Sequence, residues 1–200
     1  MRVLGIDPGS RHLGWGILAQ IGTRLEHVAH GVIDVDVGGA FAERLVEIDD
    51  ELARVIGAHA PGAAAVESLF FAKNAQSAAK LGHARGVVLL RLARAGLAVH
   101  EYAPALVKRT VVGKGAAEKE QVARVMTAVL RLSAPPRLDA ADALAVALTH
   151  CHASRFQAAL TASGVPTALA AAGVPAAVAA ARRAHRAATA GGRSPRPRKG

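Results

Sequence analysis

Two short apolar runs, Val3-Leu4-Gly5-Ile6 and Ala63-Ala64-Ala65-Val66, each end on an acid: Asp7 in one case, Glu67 in the other. Runs of four apolar residues bounded by turn signals read as buried strands. An acid at the end of a buried strand is costly to desolvate unless positive charge compensates it. A second pair of acids, Asp139 and Asp142, lies in an Ala/Leu-rich segment with helical character. Residues i and i+3 share one helix face, so these two carboxylates point the same way. Four carboxylates on two strand ends and one helix face make sense together if a divalent cation gathers them. Hard oxygen donors suit Mg²⁺ or Mn²⁺, and two such ions about 3.5–4 Å apart can clamp the attacking and leaving oxygens of a phosphodiester.

Order along the chain points to an α/β architecture. Strands are expected over residues 2–7, 14–19 and 28–37, joined by short turns as an antiparallel meander. Phe41, Leu45, Ile48, Leu52, Val55 and Ile56 recur at helical spacing within 40–59, and Pro61-Gly62 stops that helix. A strand over 62–67, a helix over 74–95, a strand over 97–103 and helices near 118–132 and 138–153 follow. The result is a mixed central sheet flanked by helices. Past residue 155 the chain becomes Ala-rich, is broken by Gly164, Pro166, Gly173 and Pro175, and ends Arg193-Ser194-Pro195-Arg196-Pro197-Arg198-Lys199-Gly200. The expected division is a folded domain over 1–154 and a flexible basic tail over 155–200.

Charge is distributed unevenly. The total is +10, but residues 1–69 hold five Lys/Arg against ten Asp/Glu, and residues 70–131 hold eleven against three. The segment 155–200 holds eight Lys/Arg and no acid. A basic middle and tail beside a carboxylate set argue for a polyanionic partner. An acid at position 7 interrupts any signal-peptide core, and no apolar run reaches the 18 or so residues needed to span a bilayer. The lone Cys151 forms no internal disulfide, which suits a reducing cytoplasm. A cytoplasmic protein with no membrane partner is expected.

Other motifs are weaker. Asp7-Pro8-Gly9-Ser10 also resembles the first phosphate loop of the actin-like ATPases, but those need a second, duplicated lobe. Gly113-Lys114-Gly115 lacks the earlier Gly of a P-loop. Phe70, Phe71 and Lys73 follow Glu67 closely in a chain with only 3% aromatics. Neighbouring residues point in different directions, so one ring is expected in the core and one on display, with Phe70 favoured for display. A displayed ring could stack on an unpaired base, worth roughly 1–3 kcal/mol. Lys108, Arg109, Lys114 and Lys119 form a basic stretch suited to phosphates, although Glu118 and Glu120 dilute it. His150-Cys151-His152 does not converge on one ion, because neighbours on a helix face different ways. The stripe Ala78, Leu81, Val88 and Leu92 fits either core packing or a symmetric interface.

The combination of Gly5-Ile6-Asp7-Pro8-Gly9-Ser10-Arg11, Glu67 with Phe70-Phe71-Ala72-Lys73-Asn74, Lys80-Leu81-Gly82-His83-Ala84-Arg85-Gly86, Val107-Lys108-Arg109-Thr110-Val111-Val112-Gly113, Glu118-Lys119 and Asp139-Ala140-Ala141-Asp142-Ala143-Leu144-Ala145 closely resembles the bacterial RuvC family of Holliday-junction resolvases. The match runs in order over residues 1–154 and does not extend to the tail. The resemblance implies an RNase H-like fold and a homodimer that cuts two opposed strands of a four-way DNA junction in the presence of Mg²⁺. It implies Asp7, Glu67, Asp139 and Asp142 as metal-binding catalytic acids, with two Mg²⁺ per site and Mn²⁺ as a substitute. Junction contacts are implied for Phe70, Lys73, Arg85, Lys108, Lys114 and Lys119, and the RuvAB branch-migration motor is the implied partner. Two rivals carry part of the pattern: a YqgF-like nuclease acting on structured RNA, and a junction-binding module without activity. The block from Glu67 to Asn74 speaks against the first, and an intact carboxylate quartet facing phosphates speaks against the second.

Overall fold

The computed structural model of the protein describes residues 1–68 and 74–163. The chain divides after Cys151 into two units, and the architecture below is that of the first. Its elements are β1 (Arg2–Asp7), β2 (His12–Ile21), β3 (Arg24–Asp34), α1 (Phe41–His59), β4 (Ala63–Glu67), α2 (Ala75–Arg94), β5 (Ala98–Tyr102), α3 (Pro104–Val112), α4 (Lys119–Leu130) and α5 (Leu138–Ala162). The five strands form one sheet in the order β3-β2-β1-β4-β5. The pairs β1–β2 and β2–β3 are antiparallel, whereas β1–β4 and β4–β5 are parallel. The expected meander and mixed sheet are both present.

Strand alternation sorts the side chains onto two faces. Leu4 and Ile6 of β1, Leu13 and Ile17 of β2, and Ala64 and Val66 of β4 pack with Ile48, Leu52 and Val55 of α1 and Val88 and Leu92 of α2. Val3, Leu18 and Ala65 face the other way, toward Val107, Val122, Met126 and Leu144 on α3, α4 and α5. Each fully buried Leu or Ile contributes roughly 1.5–3 kcal/mol relative to exposure, so the sheet is held from both sides. Helix α5 is buried without interruption from Ala143 to Cys151, as a helix apolar all round must be. It lies against β1 at Gly5, where a Cβ would sit 2.0 Å from the Ala143 carbonyl oxygen.

Several expectations need correction. Between the strand expected over 97–103 and the helix near 118–132 lies a further helix, α3, which carries Lys108. Pro104 occupies its first turn, and Gly113 closes it with φ 80°, a left-handed conformation that glycine adopts without strain. Helix α5 runs on to Ala162 rather than stopping near 153, because no Pro or Gly interrupts before Gly164. The stripe on α2 belongs to the core at Val88 and Leu92, both fully buried, while Ala78 and Leu81 are half-buried. The third strand also starts earlier than expected, at Arg24, since the turn at Gly22 (φ 60°) lets β2 and β3 pair along almost their full length.

Candidate active site

Odd-numbered residues of β1 and β4 face α5, which puts Asp7 and Glu67 on that side at the carboxyl ends of neighbouring parallel strands. The register pairs Ile6 with Val66, so the two acids follow directly at the ends of these two inner strands, and they share a side-chain hydrogen bond. Opposite Asp7 on β2 is Gly14, where a Cβ would lie 1.9 Å from the carbonyl oxygen of Asp139. The missing side chain lets the first turn of α5 rest directly on the sheet. Asp139 and Asp142, one turn apart, then face the strand-borne pair, and the four acids expected to act together meet at one place.

The ammonium of Lys119, the first residue of α4, stands among them. Its Nζ is 2.8 Å from Asp142, 3.5 Å from Asp139 and 3.9 Å from Asp7. Burial, and then the charge of Glu67, push Asp7 up to about 8, and burial also raises Glu67 and Asp142. The positive charges of Lys119 and Lys108 oppose the rise at Glu67 and Asp142. Lys119 in turn is held strongly cationic by its bond to Asp142, despite its own partial burial. Crowded, desolvated carboxylates with one ammonium between them make a site in need of further positive charge.

Among the described residues, no three His, Cys, Asp or Glu side chains are gathered closely enough to form a ready-made ion cage. The donor set nonetheless fits a hard divalent cation. It consists of carboxylate oxygens alone, and the Lys119 ammonium already stands in for such charge.

The basic residues separate in space. Lys108 on α3 is near enough to act electrostatically on Glu67 and Asp142, and Lys119 is part of the carboxylate cluster itself. Lys114 is exposed between α3 and α4. Arg85 is not brought to the cluster: it leans from α2 toward β5, largely buried, with Nη2 2.5 Å from Glu101. Phe70, Phe71 and Lys73 lie outside the described residues. Cys151 is buried, and the Tyr102 hydroxyl and His150 Nδ1 share a 2.8 Å hydrogen bond.

Sequence reasoning missed the companion cluster at the same end of the sheet. Asp34, the last residue of β3, contacts His12 Nδ1 at 2.7 Å and both terminal nitrogens of Arg137 at 2.5 and 2.8 Å. No spacing signal links positions 12, 34 and 137; only the β2–β3 register and the path of α5 bring them together.

Several known proteins match this chain in sequence and in fold. The family described as crossover junction endodeoxyribonuclease RuvC matches residues 3–150. The protein of that name from Sorangium cellulosum is 78% identical over 166 residues, covering 83% of this chain and 93% of its own length. Its counterpart from Acidiphilium cryptum is 54% identical, over 79% of this chain and 97% of its own length. The solved structure of T. thermophilus RuvC in complex with Holliday junction substrate is 38% identical, with a TM-score of 0.73, covering 78% of this chain and 96% of that one. The chain belongs to the RuvC family of crossover junction endodeoxyribonucleases and, like them, is a nuclease that hydrolyses phosphodiester bonds.

Proposed function

We propose that the chain resolves four-way DNA junctions by metal-dependent hydrolysis, with Asp7, Glu67, Asp139 and Asp142 as the acids that hold the cation. The observation that carries this reading is the convergence of Asp7, Asp139 and Asp142 on the Lys119 ammonium, with Glu67 beside Asp7. Mg²⁺ is the proposed ion, two per site, with Mn²⁺ able to replace it; bound there, it would supply charge for the attacking water and the departing 3′ oxygen. The protein's own part is to hold four carboxylates at fixed positions and to keep Lys119 and Lys108 beside them, where they face the phosphates. Lys114 is placed to contact the DNA backbone, and Phe70, Lys73 and Arg85 remain proposed junction contacts.

A homodimer suits the task, because a two-fold axis sets two equivalent sites on two equivalent strands, allowing paired symmetric nicks. The RuvAB motor is the proposed partner, and the cytoplasm the proposed compartment; among the described residues no helix is long and apolar enough to cross a membrane. The nuclease domain is assigned to 1–154, in keeping with the family match over 3–150, and 155–200 to an accessory tail whose first residues, up to Ala162, continue α5.

The deciding experiment compares cutting of a synthetic four-way junction, linear duplex and structured RNA, with and without Mg²⁺. The expected result is symmetric nicking of the junction alone, and only with metal. Preferred cutting of RNA would replace this reading with a YqgF-like one. Tight junction binding with no cutting would reduce it to a recognition module.

A further inference from the structure

Arg137 closes the segment before α5 and opens that helix through its carbonyl, which accepts the Ala141 N–H at 2.9 Å. Its side chain has no acceptor and cannot cap the helix. Two residues further on is Asp139, and the guanidinium feels that carboxylate's charge. Left to itself, a long cationic side chain beside a cluster of acids would settle on the nearest carboxylate. Instead it forms a two-pronged contact with Asp34, at 2.5 and 2.8 Å. Paired planar N–H···O bonds of this kind fix direction as well as distance.

Asp34 is itself fixed. It ends β3 directly opposite His12 in the β2–β3 ladder, and His12 Nδ1 lies 2.7 Å from its Oδ1. Hydrogen bonds from Arg137 and then His12 hold its carboxyl down to about 2, so it stays ionised across the working range. All three side chains are about half exposed, and ion pairs of that kind add little to stability. The arrangement needs another account than holding the fold together.

We propose that Asp34 is a positioning residue that keeps Arg137 away from Asp139, so that no second resident cation joins Lys119 there to oppose a divalent ion. The inference rests on the carboxylate cluster being the cation site. In this account Asp34 competes with Asp139 for one guanidinium and wins, because its two oxygens meet the fork squarely and His12 steadies it. Loss of Asp34 releases Arg137 onto Asp139, where it opposes the incoming cation.

The test is direct binding of Mn²⁺ alone to the full chain, followed by the electron paramagnetic resonance signal of free Mn²⁺, with thermal melts as a check on folding. Asp34→Asn should bind Mn²⁺ about tenfold more weakly, with an almost unchanged melt. Arg137→Gln should bind as the original chain does. The double variant Asp34→Asn/Arg137→Gln should recover the affinity lost by Asp34→Asn, since the guanidinium it released is gone. Simple anchoring of α5 predicts the opposite, with Arg137→Gln and the double variant as weak as Asp34→Asn. An unchanged affinity in Asp34→Asn, or no recovery in the double variant, overturns the role of Asp34 alone. If the original chain takes up no Mn²⁺ at all, the carboxylate reading falls and this one falls with it.

Discussion

At the scale of single residues, the site is a problem in charge. Asp7 has the most strained electrostatics, with its carboxyl raised to about 8 by burial and by Glu67 beside it. Asp7→Asn keeps size and shape but removes the charge a cation would bind. Junction cutting in Mg²⁺ should drop by at least a hundredfold, while junction binding by gel shift persists or tightens, because less negative charge then faces the phosphates. Near-normal cutting by this variant would end the catalytic assignment. The four acids were legible in the sequence because each sits where strand or helix patterning leaves an acid without an ordinary reason to be. Lys119 was legible only as a cation. Nothing in Glu118-Lys119 tells that the start of α4 delivers it 2.8 Å from Asp142 instead of to the open surface. The pairing of Asp34 with Arg137, 103 residues apart, left no local signal at all.

Elements, rather than residues, decide where those charges meet. Helix α5 approaches the sheet so closely that a single methyl matters. Gly14→Ala would place a Cβ 1.9 Å from the Asp139 carbonyl, and backbone cannot swing aside as a side-chain tip can. The first turn of α5 must shift, at a cost of about 1–3 kcal/mol. Cutting should suffer more than folding does, since both Asp139 and Asp142 ride on that turn. The check is a urea melt beside a single-turnover cutting rate; a normal rate would show that the turn tolerates displacement. Strand alternation and helical period made β1, β4, α1 and α2 legible. Helix α3 was hidden because it is short, and Lys108, Arg109 and Thr110 split its apolar residues into two runs that show no helical period. The middle of α5 has its own titration. His150 is held down to about 4 by burial and then by the charge of His100, while Tyr102, raised to about 12 by burial, keeps its proton 2.8 Å from His150 Nδ1. A base whose folded pKa lies below its free value of 6.5 favours folding above pH 6.5, and that contribution is lost as pH falls toward 4. Its full size is at most about 3 kcal/mol. His27 and His30 push the same way, and the raised carboxylates push the opposite way without metal. A difference measurement therefore isolates the residue. Between pH 7 and pH 4.5, His150→Gln should lose less stability in urea than the original chain does; equal losses would remove His150 from the account.

For the molecule as a whole, the charge pattern sets a division of labour. The carboxylates and the cations beside them all lie within the stretch matched by the family, residues 3–150. The segment 164–200 carries seven Lys/Arg and no acid, so a chain ending at Ser163 has a formal charge of +3 instead of +10. If that segment serves DNA affinity rather than chemistry, the shortened chain should cut junctions at an undiminished rate when DNA is saturating. Its binding should weaken most at low salt, because each cation that neutralises a phosphate releases counterions and steepens the dependence of affinity on salt. Titrations from 50 to 200 mM salt should give a slope of log affinity against log salt that is shallower by about 0.9 for each phosphate the segment neutralises in the full chain. A lowered melting temperature in the shortened chain would assign the segment to folding or assembly instead. An unchanged slope in a well-folded, active chain would leave the tail with no electrostatic part in binding and confine DNA recognition to the nuclease domain.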